Sequence, residues 1–297
     1  MQVDRLLLSP SLPARPGAHT RLAAVIGSPV RHSLSPAMHN AAFRAAGLDW
    51  IYVALEVAPG DVAAALAGAR ALHLGGVSVT IPHKAAAAAE VDELSPAAQA
   101  IGAVNTVVPA GEGRLRGENT DGDGFLASLA DEGFDPRGRP CLVVGAGGAA
   151  RAVVHALAGA GAAEVVVVNR SADRAEAAAA LAGDRGRVGT PGDVAGADLV
   201  VNATPLGLTG VDVRTLPLDA DLLGAGQLLV DLIPNPAVTP LMKAARRRGA
   251  QAVGGMGMLV HQGALAFQLW TGQPAPIGVM RVAALGALDI AALGARA

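Results

Sequence analysis

The sequence predicts an α/β protein built from two domains, on three observations. The length of 297 residues exceeds that of one ordinary domain. Short apolar strands alternate with helical segments through both halves of the chain, which is typical of sheets flanked by helices. A stretch containing proline and glycine, residues 135–138, separates the two halves and indicates a linker.

Composition and charge exclude several classes of protein. Hydrophobic residues make up 52% of the chain and charged residues 16%, so we expect a large core rather than disorder. The formal net charge is −2, and the basic cluster Arg246-Arg247-Arg248 falls at the end of a predicted helix, where the dipole favours cations. No apolar run approaches the roughly 18–20 residues that span a bilayer. We therefore expect neither a nucleic-acid partner nor a membrane partner.

The single cysteine and the first residues indicate the compartment. One cysteine, Cys141, excludes an internal disulfide framework and is typical of a reducing compartment, so we expect a cytoplasmic protein. Within residues 1–20 the apolar stretch Leu6-Leu7-Leu8 is too short for the core of a signal peptide. We expect residues 1–20 to form a flexible extension.

Strands and helices alternate through the first half of the chain. The helix that follows Ser35-Pro36 begins with a good N-cap and a good first helical residue. Its free N–H groups favour an anion, to which Ser33 and Ser35 could add hydroxyl donors; alternatively, Ser35 only caps the helix. Strands are predicted at 22–26, 50–57, 77–81, 103–108 and 114–118, and helices at 36–47, 60–72, 84–91 and 122–132.

Polar residues gather near the ends of these strands. Period-2 alternation buries the apolar residues of 77–81 and places Ser78 and Thr80 on one face. Pro82 stops the strand, so Lys84 follows its carboxyl end, where open α/β sheets bind their ligands. An amide and a carboxylate follow in later polar segments, Asn105 and Asp121. Together these groups suit a small polyhydroxylated substrate.

The second half opens with a nucleotide-binding pattern. Residues 141–144 form an uninterrupted apolar strand, which is typical of a parallel sheet. A glycine-rich turn follows, then a helix to Gly159 and another strand at 165–168. This G-x-G-x-x-A arrangement brings a pyrophosphate onto backbone N–H groups. We therefore predict a Rossmann-type domain in which the cofactor contacts Gly145, Ala146, Gly147, Gly148 and Ala149.

The residues after the 165–168 strand favour NADP over NAD. An NAD site usually places an acid there to bind the ribose 2′-hydroxyl. This chain has Asn169 and Arg170, with Arg174 close behind, and guanidinium groups suit a 2′-phosphate. Alternatively, both arginines are solvated at a helix start. Asp173, a few residues after Asn169, is an acid of the kind that an NAD site uses, and it weakens the preference for NADP.

The remaining segments complete the second domain and return to the first. Strands are predicted at 199–201, 228–231 and 250–253, and helices at 240–248, 258–270 and 277–293. The last two helices are apolar on most faces, so we expect them to pack on the first domain. The predicted division is a substrate-binding catalytic domain of residues 21–121 plus 259–297 and an NADP-binding domain of residues 122–258.

Eight segments of the chain, in order across both domains, resemble the shikimate dehydrogenase family. They are 32–36, 79–84, 102–106, 119–122, 145–150, 169–174, 202–204 and 257–262. The resemblance implies a substrate domain with a parallel-type sheet, a dinucleotide domain and a cleft between them. It implies a carboxylate clamp of Ser33 and Ser35, and hydroxyl binding by Thr80, Asn105, Asp121 and Gln262, with Ser78 beside them. Lys84 is implied as the catalytic lysine, and Thr204, Gly255 and Met258 as further cofactor contacts.

Two positions depart from the pattern most common in that family. It often has Asn where this chain has Ser78, and Tyr where this chain has Pro234. The second change removes a phenolic hydroxyl near the substrate, so it affects substrate choice more than reaction type. We expect an NADP-dependent shikimate dehydrogenase; a quinate or aminoshikimate dehydrogenase stays open. A non-catalytic ligand-binding regulator is disfavoured, because both Lys84 and Asp121 are present.

Lys84 and Asp121 are the candidates for the acid/base group that hydride transfer to a ring carbonyl requires. The alternatives are an ordinary surface lysine and a helix cap, and for Gln262 a solvated amide. His32, His39 and His83 raise the question of a metal. No H-x-x-x-H or Cys/His spacing supports one, so we expect none. We expect a monomer or a homodimer.

Overall fold

The computed structural model describes residues 16–207 and 218–294, the side chains of 289–294 excepted. Most of the predicted N-terminal extension, residues 1–15, lies outside the described residues. The strands are Arg21–Gly27 (β1), Trp50–Glu56 (β2), Gly76–Val79 (β3), Glu93–Leu94 (β4), Thr106–Pro109 (β5), Leu115–Glu118 (β6), Pro140–Val144 (β7), Glu164–Val168 (β8), Gly186–Val188 (β9), Leu199–Asn202 (β10), Leu228–Asp231 (β11) and Gln251–Gly254 (β12).

The helices surround two sheets. They are Ser35–Ala45 (α1), Val62–Ala71 (α2), Lys84–Glu90 (α3), Pro96–Ile101 (α4), Asp121–Asp131 (α5), Gly148–Gly159 (α6), Ala172–Ala179 (α7), Pro240–Arg247 (α8), Met256–Thr271 (α9) and Ile277–Gly294 (α10). The two-domain α/β fold predicted from the sequence is confirmed. The predicted strands and helices lie within a few residues of those observed, whereas β4, β9, α4 and α7 were not predicted.

The first sheet has the strand order β2-β1-β3-β5-β6-β4. β1 is parallel to β2 and β3, whereas β5 is antiparallel to both β3 and β6. The expected parallel-type pairing is present for β1 with β2 and β3 and for β4 with β6, and the β5–β6 hairpin adds antiparallel pairs to this sheet. The carboxyl end of β3 still faces the start of α3, which delivers Lys84 to the edge of the sheet.

The second sheet is parallel throughout, with the order β12-β11-β10-β7-β8-β9. Helices cover both faces, so its central strands are buried on both sides and read as continuous apolar runs. Because the strands are parallel, the loops that follow β7, β8, β10 and β11 meet at one edge. All predicted cofactor contacts except Met258 lie in or directly after those loops or at the end of β12.

Two adjacent helices, α5 and α9, join the sheets. They approach closely at Gly124, where an added β-carbon would lie 2.6 Å from the backbone nitrogen of Gln262. α9 and α10 then bury Phe267, Trp270 and Met280 with residues of β1 and α1. The predicted return of the C-terminal helices to the first domain is confirmed. Within the described residues, no helix is both long enough and apolar enough to cross a membrane.

Two local predictions are wrong. Ser35 does not cap α1: Leu34 already has helical backbone angles, and the Ser33 hydroxyl accepts a hydrogen bond from the Ser35 N–H at 3.2 Å. Ile81 was expected to be a buried strand residue, but β3 ends at Val79 and Ile81 is 65% exposed. Ile81 lies in the loop before α3, where it no longer alternates with the strand.

Candidate active site

Lys84 and Asp121 lie in contact although they are far apart in the sequence. Lys84 is the first residue of α3 and Asp121 the first residue of α5. The Lys84 ammonium donates a hydrogen bond to Asp121 Oδ2 and forms an ion pair with it. Their side chains are 16% and 5% exposed. A surface lysine is thereby excluded, and the helix-cap alternative for Asp121 is wrong because Thr120 is the N-cap residue of α5 and Asp121 is its first helical residue.

Asn105 holds the carboxylate from the other side. Its side-chain amide donates to Asp121 Oδ1 at 2.8 Å and to the Thr120 hydroxyl at 2.9 Å. Its carbonyl oxygen accepts from the Thr120 N–H at 2.8 Å. Asn105 is 2% exposed, so these bonds are shielded from water. The amide therefore fixes both Asp121 and the turn that carries it.

Gln262 completes this group from α9. Its side-chain oxygen lies 3.4 Å from the Asn105 amide, and its backbone carbonyl accepts from the Thr120 hydroxyl at 3.1 Å. Gln262 is therefore not simply a solvated amide. The sequence did not assign a role to Thr120, which bonds both Asn105 and Gln262. Its place between Asn119 and Asp121 in a polar segment was the available signal.

A second group of hydroxyls lies deeper in the first domain. The Tyr52 hydroxyl is buried beside Ser35 and Ser78, but none of the described residues is in hydrogen-bonding geometry with it. Burial raises the pKa of Tyr52, and the two serine hydroxyls only partly oppose that rise. Ser33 lies on the loop before α1, two residues before Ser35, and Thr80 lies just after β3, two residues after Ser78. Both are half-buried. Tyr52 was missed, although it is the only tyrosine and lies on a predicted strand.

The glycine-rich turn after β7 fits a pyrophosphate. Gly145 has φ +114°, and an added β-carbon would lie 3.0 Å from the Ala203 carbonyl oxygen. Gly147 is the N-cap of α6 and Gly148 its first residue, so the helix begins with unhindered N–H groups. Ala146 and Ala149 are half-buried beside them. Thr204 lies next to Gly145, at 3.4 Å from the same added β-carbon.

The two predicted sites adjoin each other. An added β-carbon on Gly148 would lie 3.2 Å from Lys84 Cδ. The lysine of the first domain therefore packs against the start of the helix that would receive the pyrophosphate. A cofactor lying on the glycine-rich turn and a substrate near Lys84 would share one cleft.

The arginines predicted to hold a 2′-phosphate lie at the end of β8. Arg170 and Arg174 are exposed, and Asn169 donates to the Ser171 carbonyl at 3.1 Å. Asp173 is also exposed, in the first turn of α7. Both guanidinium groups are thus accessible to an anion. Exposed cations at this edge, with a glycine cradle behind them, fit an adenosine 2′-phosphate.

Gly255 and Met258 are explained in part by packing. An added β-carbon on Gly255 would lie 2.3 Å from the Leu232 carbonyl oxygen, so only glycine fits there. Met258 is 8% exposed and packs in the core of the second domain with Phe125 and Leu129. Their predicted cofactor contacts stay predictions.

Two of the three histidines that raised the question of a metal, His39 and His83, contact other residues of the first domain. His39 is buried against Tyr52 and Trp270, and burial lowers its pKa to about 3, so it is neutral. The His83 ring lies 2.8 Å from the Val57 carbonyl oxygen. No group of three or more potential metal ligands occurs in the described part of the chain.

Family models match most of the length of the chain. The substrate binding domain of shikimate dehydrogenase matches residues 25–107, and the C-terminal domain of shikimate 5′-dehydrogenase matches residues 255–285. The NADP binding domain of saccharopine dehydrogenase matches residues 141–256. The NADP(+)-dependent shikimate dehydrogenase of Moorella thermoacetica is 50% identical over 274 residues, which cover 89% of this chain and 92% of that protein. This chain belongs to the shikimate dehydrogenase family.

Solved structures of the shikimate dehydrogenase family share the fold. Shikimate 5-dehydrogenase from Thermus thermophilus, in complex with NADP(H) and shikimate, has a TM-score of 0.84 at 43% identity, covering 91% of this chain and 100% of that one. Quinate dehydrogenase from Corynebacterium glutamicum, in complex with NAD, has a TM-score of 0.82 at 32% identity, covering 90% of this chain and 99% of that one. The resemblance inferred from the sequence motifs is confirmed.

Proposed function

We propose that this member of the shikimate dehydrogenase family catalyses the reversible, NADP-dependent reduction of 3-dehydroshikimate to shikimate. The observation that carries the proposal is the buried Lys84–Asp121 pair, which lies against the first residue of the glycine-rich helix. This arrangement provides a proton donor beside a dinucleotide cradle. The 50% identity to a shikimate dehydrogenase that uses NADP(+) supports both substrate and cofactor.

Lys84 is the proposed acid/base group. In the reducing direction its ammonium donates a proton to the carbonyl oxygen of the substrate, so the charge that develops on that oxygen is neutralised. NADPH, when bound, supplies the hydride. In the oxidising direction the neutral amine takes the proton of the ring hydroxyl.

Asp121 and its neighbours hold this geometry. Asp121 keeps the lysine oriented and accepts from a substrate hydroxyl, while Asn105 and Gln262 offer further amide groups to the ring hydroxyls. Ser33 and Ser35 are proposed to bind the substrate carboxylate at the start of α1, with Ser78 and Thr80 facing the ring. Gly145, Ala146, Gly147, Gly148, Ala149, Thr204, Gly255 and Met258 are proposed along the cofactor, and Asn169, Arg170 and Arg174 at its 2′-phosphate.

An absorbance assay at about 340 nm tests the proposal, because NADPH absorbs there and NADP⁺ does not. Shikimate and quinate are each tested with NADP⁺ and with NAD⁺. The proposal predicts the highest kcat/KM for shikimate with NADP⁺. A higher value for quinate, or for NAD⁺, would overturn that part of the assignment.

A quinate or aminoshikimate dehydrogenase is the second candidate. Ser78 and Pro234 favour it, since Ser78 is shorter than the Asn that the family often has there and Pro234 lacks the phenolic hydroxyl of the usual Tyr. Steady-state rates on each substrate separate the candidates. A regulator without activity would instead bind shikimate in a calorimeter and show no absorbance change with either cofactor.

The assembly and the compartment are part of the same proposal. A monomer or homodimer is expected, and sedimentation analysis distinguishes them. The cytoplasm is proposed because the one cysteine, Cys141, is buried and unpaired, as in reducing compartments. Localisation of a tagged full-length chain tests this.

A further inference from the structure

A line of four hydrogen-bonded side chains runs behind the glycine-rich turn. The Thr239 hydroxyl donates to Asp231 Oδ2 at 2.6 Å. The Asn202 amide donates to Asp231 Oδ1 at 2.8 Å. Asn202 Oδ1 accepts from the Thr204 hydroxyl at 2.7 Å and from the Thr204 N–H at 3.0 Å. The line therefore leads from the N-cap of α8 to the loop after β10.

The inner members of this line are shielded from water. Asp231, Asn202 and Thr239 are each 0% exposed. Burial raises the pKa of Asp231, and hydrogen bonds from Thr239, Asn202 and the backbone N–H of Ile233 oppose that rise. A buried carboxyl group without partners would be costly, so its position beside these three donors is strongly determined.

Asp231 decides which way the Asn202 amide points. A carboxylate only accepts hydrogen bonds, so the NH₂ group of Asn202 must face it. The carbonyl oxygen of Asn202 is then turned to Thr204, where it satisfies two donors. If the amide were reversed, its NH₂ group would face the Thr204 N–H, and two donors would meet.

Thr204 lies where the line reaches the cleft. It adjoins Gly145, and its hydroxyl also accepts from the Leu206 N–H at 3.3 Å. The backbone of Ala203 packs 3.0 Å from the position of a β-carbon on Gly145. The position of the 203–206 loop thus sets the wall opposite the glycine-rich turn.

We propose that Asp231 is a positioning residue for the dinucleotide: through Asn202 it holds Thr204 and its loop against the glycine-rich turn. This inference rests on the proposed function, because Thr204 is assigned to the cofactor there. Asp231 itself does not reach the cleft. Its effect is expected on cofactor affinity and not on proton transfer.

The test measures the dissociation constant for NADP⁺ by calorimetry, which needs no turnover. Asp231→Leu keeps the branching at Cγ but replaces both acceptor oxygens by larger methyl groups, so Asn202 loses the group that orients it. We expect NADP⁺ to bind roughly tenfold more weakly, as for the loss of about one to two neutral hydrogen bonds. The KM for shikimate at saturating NADP⁺ should stay within about twofold of wild type, since Lys84 and Asp121 are untouched.

A swap variant gives the decisive control. In N202D/D231N the amide introduced at position 231 donates to the carboxylate introduced at position 202, which still accepts from Thr204. The amide oxygen at position 231 still accepts from Thr239. We expect near-wild-type affinity for NADP⁺, because each side-chain hydrogen bond of the line from Thr239 to Thr204 still has a donor and an acceptor. If Asp231→Leu does not fold, the swap decides alone: weak NADP⁺ binding by a well-folded swap variant would overturn the inference.

A purely structural role gives a different pattern. Thr239→Val removes a donor at the far end and the cap of α8, so it should lower the melting temperature without changing the NADP⁺ dissociation constant. An Asp231→Leu protein that is destabilised but binds NADP⁺ normally would overturn the inference. A wild-type protein that binds NADP⁺ but turns over neither substrate would overturn the proposed function and leave this inference standing. No binding of NADP⁺ at all would overturn both.

Discussion

Gly148 and Lys84 pack against each other across the cleft between the two sheets. A β-carbon on Gly148 would lie 3.2 Å from Lys84 Cδ and 3.5 Å from Lys84 Cβ. These two atoms are the nearest it would meet, and both belong to the proposed acid/base residue. The absence of a side chain at position 148 therefore sets where the lysine can lie.

Gly148→Ala should lower kcat by up to about tenfold, because the new methyl displaces Lys84 by a few tenths of an ångström and misplacement of a reacting group is costly. Gly159→Ala is the matched control, since it lies at the other end of α6 with nothing within 4 Å of the added carbon. Steady-state kinetics with shikimate and NADP⁺ measures both. Equal kcat values for the two variants would contradict the prediction.

Lys84→Ala should lower kcat by a factor on the order of 10²–10⁴, as expected when a general acid/base is lost. The chain has one other lysine, Lys243, which is exposed on α8. Lys243→Ala removes the same charge far from the cleft and should leave kcat unchanged. Near-normal turnover by Lys84→Ala would remove Lys84 from the mechanism.

Arg174→Ala should raise the KM for NADP⁺ roughly 10–100-fold, which corresponds to a charge-assisted hydrogen bond of about 1.5–3 kcal/mol. The KM for NAD⁺ should not rise, because NAD⁺ has no 2′-phosphate. Arg170→Ala should behave alike, whereas Arg247→Ala, on α8, should affect neither cofactor. A parallel rise for both cofactors would mean that these arginines contact something other than the 2′-phosphate.

Asp131 should make the free energy of unfolding decrease as the pH falls in the acid range. A hydrogen bond from His261 at 2.8 Å, with Arg281 as a further partner, holds the pKa of Asp131 below its usual value. A lowered folded-state pKa stabilises the protein above the ordinary value near about 4, and this contribution is lost as the pH falls through the folded-state pKa. In Asp131→Asn the free energy of unfolding, measured by urea denaturation, should therefore depend less on pH between about pH 5 and pH 2.

The neighbouring Glu132 supplies the control for that pH experiment. It is exposed and has no side-chain hydrogen bond or ion pair among the described residues. Glu132→Gln removes the same charge one residue away, so its stability should follow the wild-type pH curve. A pH dependence lost in both variants, or in neither, would contradict the assignment to Asp131.

Gly76→Ala should destabilise the first domain by about 1–3 kcal/mol, the usual range for overpacking a core. The added carbon would lie 2.2 Å from the Trp270 indole nitrogen, which donates to the Val107 carbonyl at 3.0 Å. Gly68→Ala, inside α2 with nothing within 4 Å, should instead stabilise by about 0.4–1 kcal/mol. Urea denaturation measures the free energy of unfolding of both variants. An unchanged value for Gly76→Ala would contradict the prediction and show that Trp270 can move aside.

Local chemistry explains what the sequence could predict. The β3 pattern and Pro82 placed Lys84 at a strand end, and the glycine-rich turn placed the start of α6. Each is specified by neighbours in the chain. The contact of Lys84 with Asp121 required one further step, the convergence of loops at one edge of a sheet.

The features that were missed depend on distant partners. The antiparallel pairing of β5 with β3 joins strands that are far apart in the sequence, and local periodicity does not reveal it. The hydrogen bonds of Thr120 and the burial of Tyr52 are set by α9, α1 and β3. The Ser35 cap was predicted wrongly because α1 begins at Ser35 with Leu34 as its N-cap residue, one position earlier than expected.

Helices α5 and α9 form a closely packed pair where the chain passes between the sheets. Asn105, Thr120, Asp121 and Gln262 are bonded to one another on one side of it. These four residues belong to α5, to α9 or to the short segments before α5 and β5, so the Lys84–Asp121 pair depends on how closely the two helices pack. A side chain at Gly124 would separate α5 from α9 and should therefore disturb the Lys84–Asp121 pair as well as the helix packing.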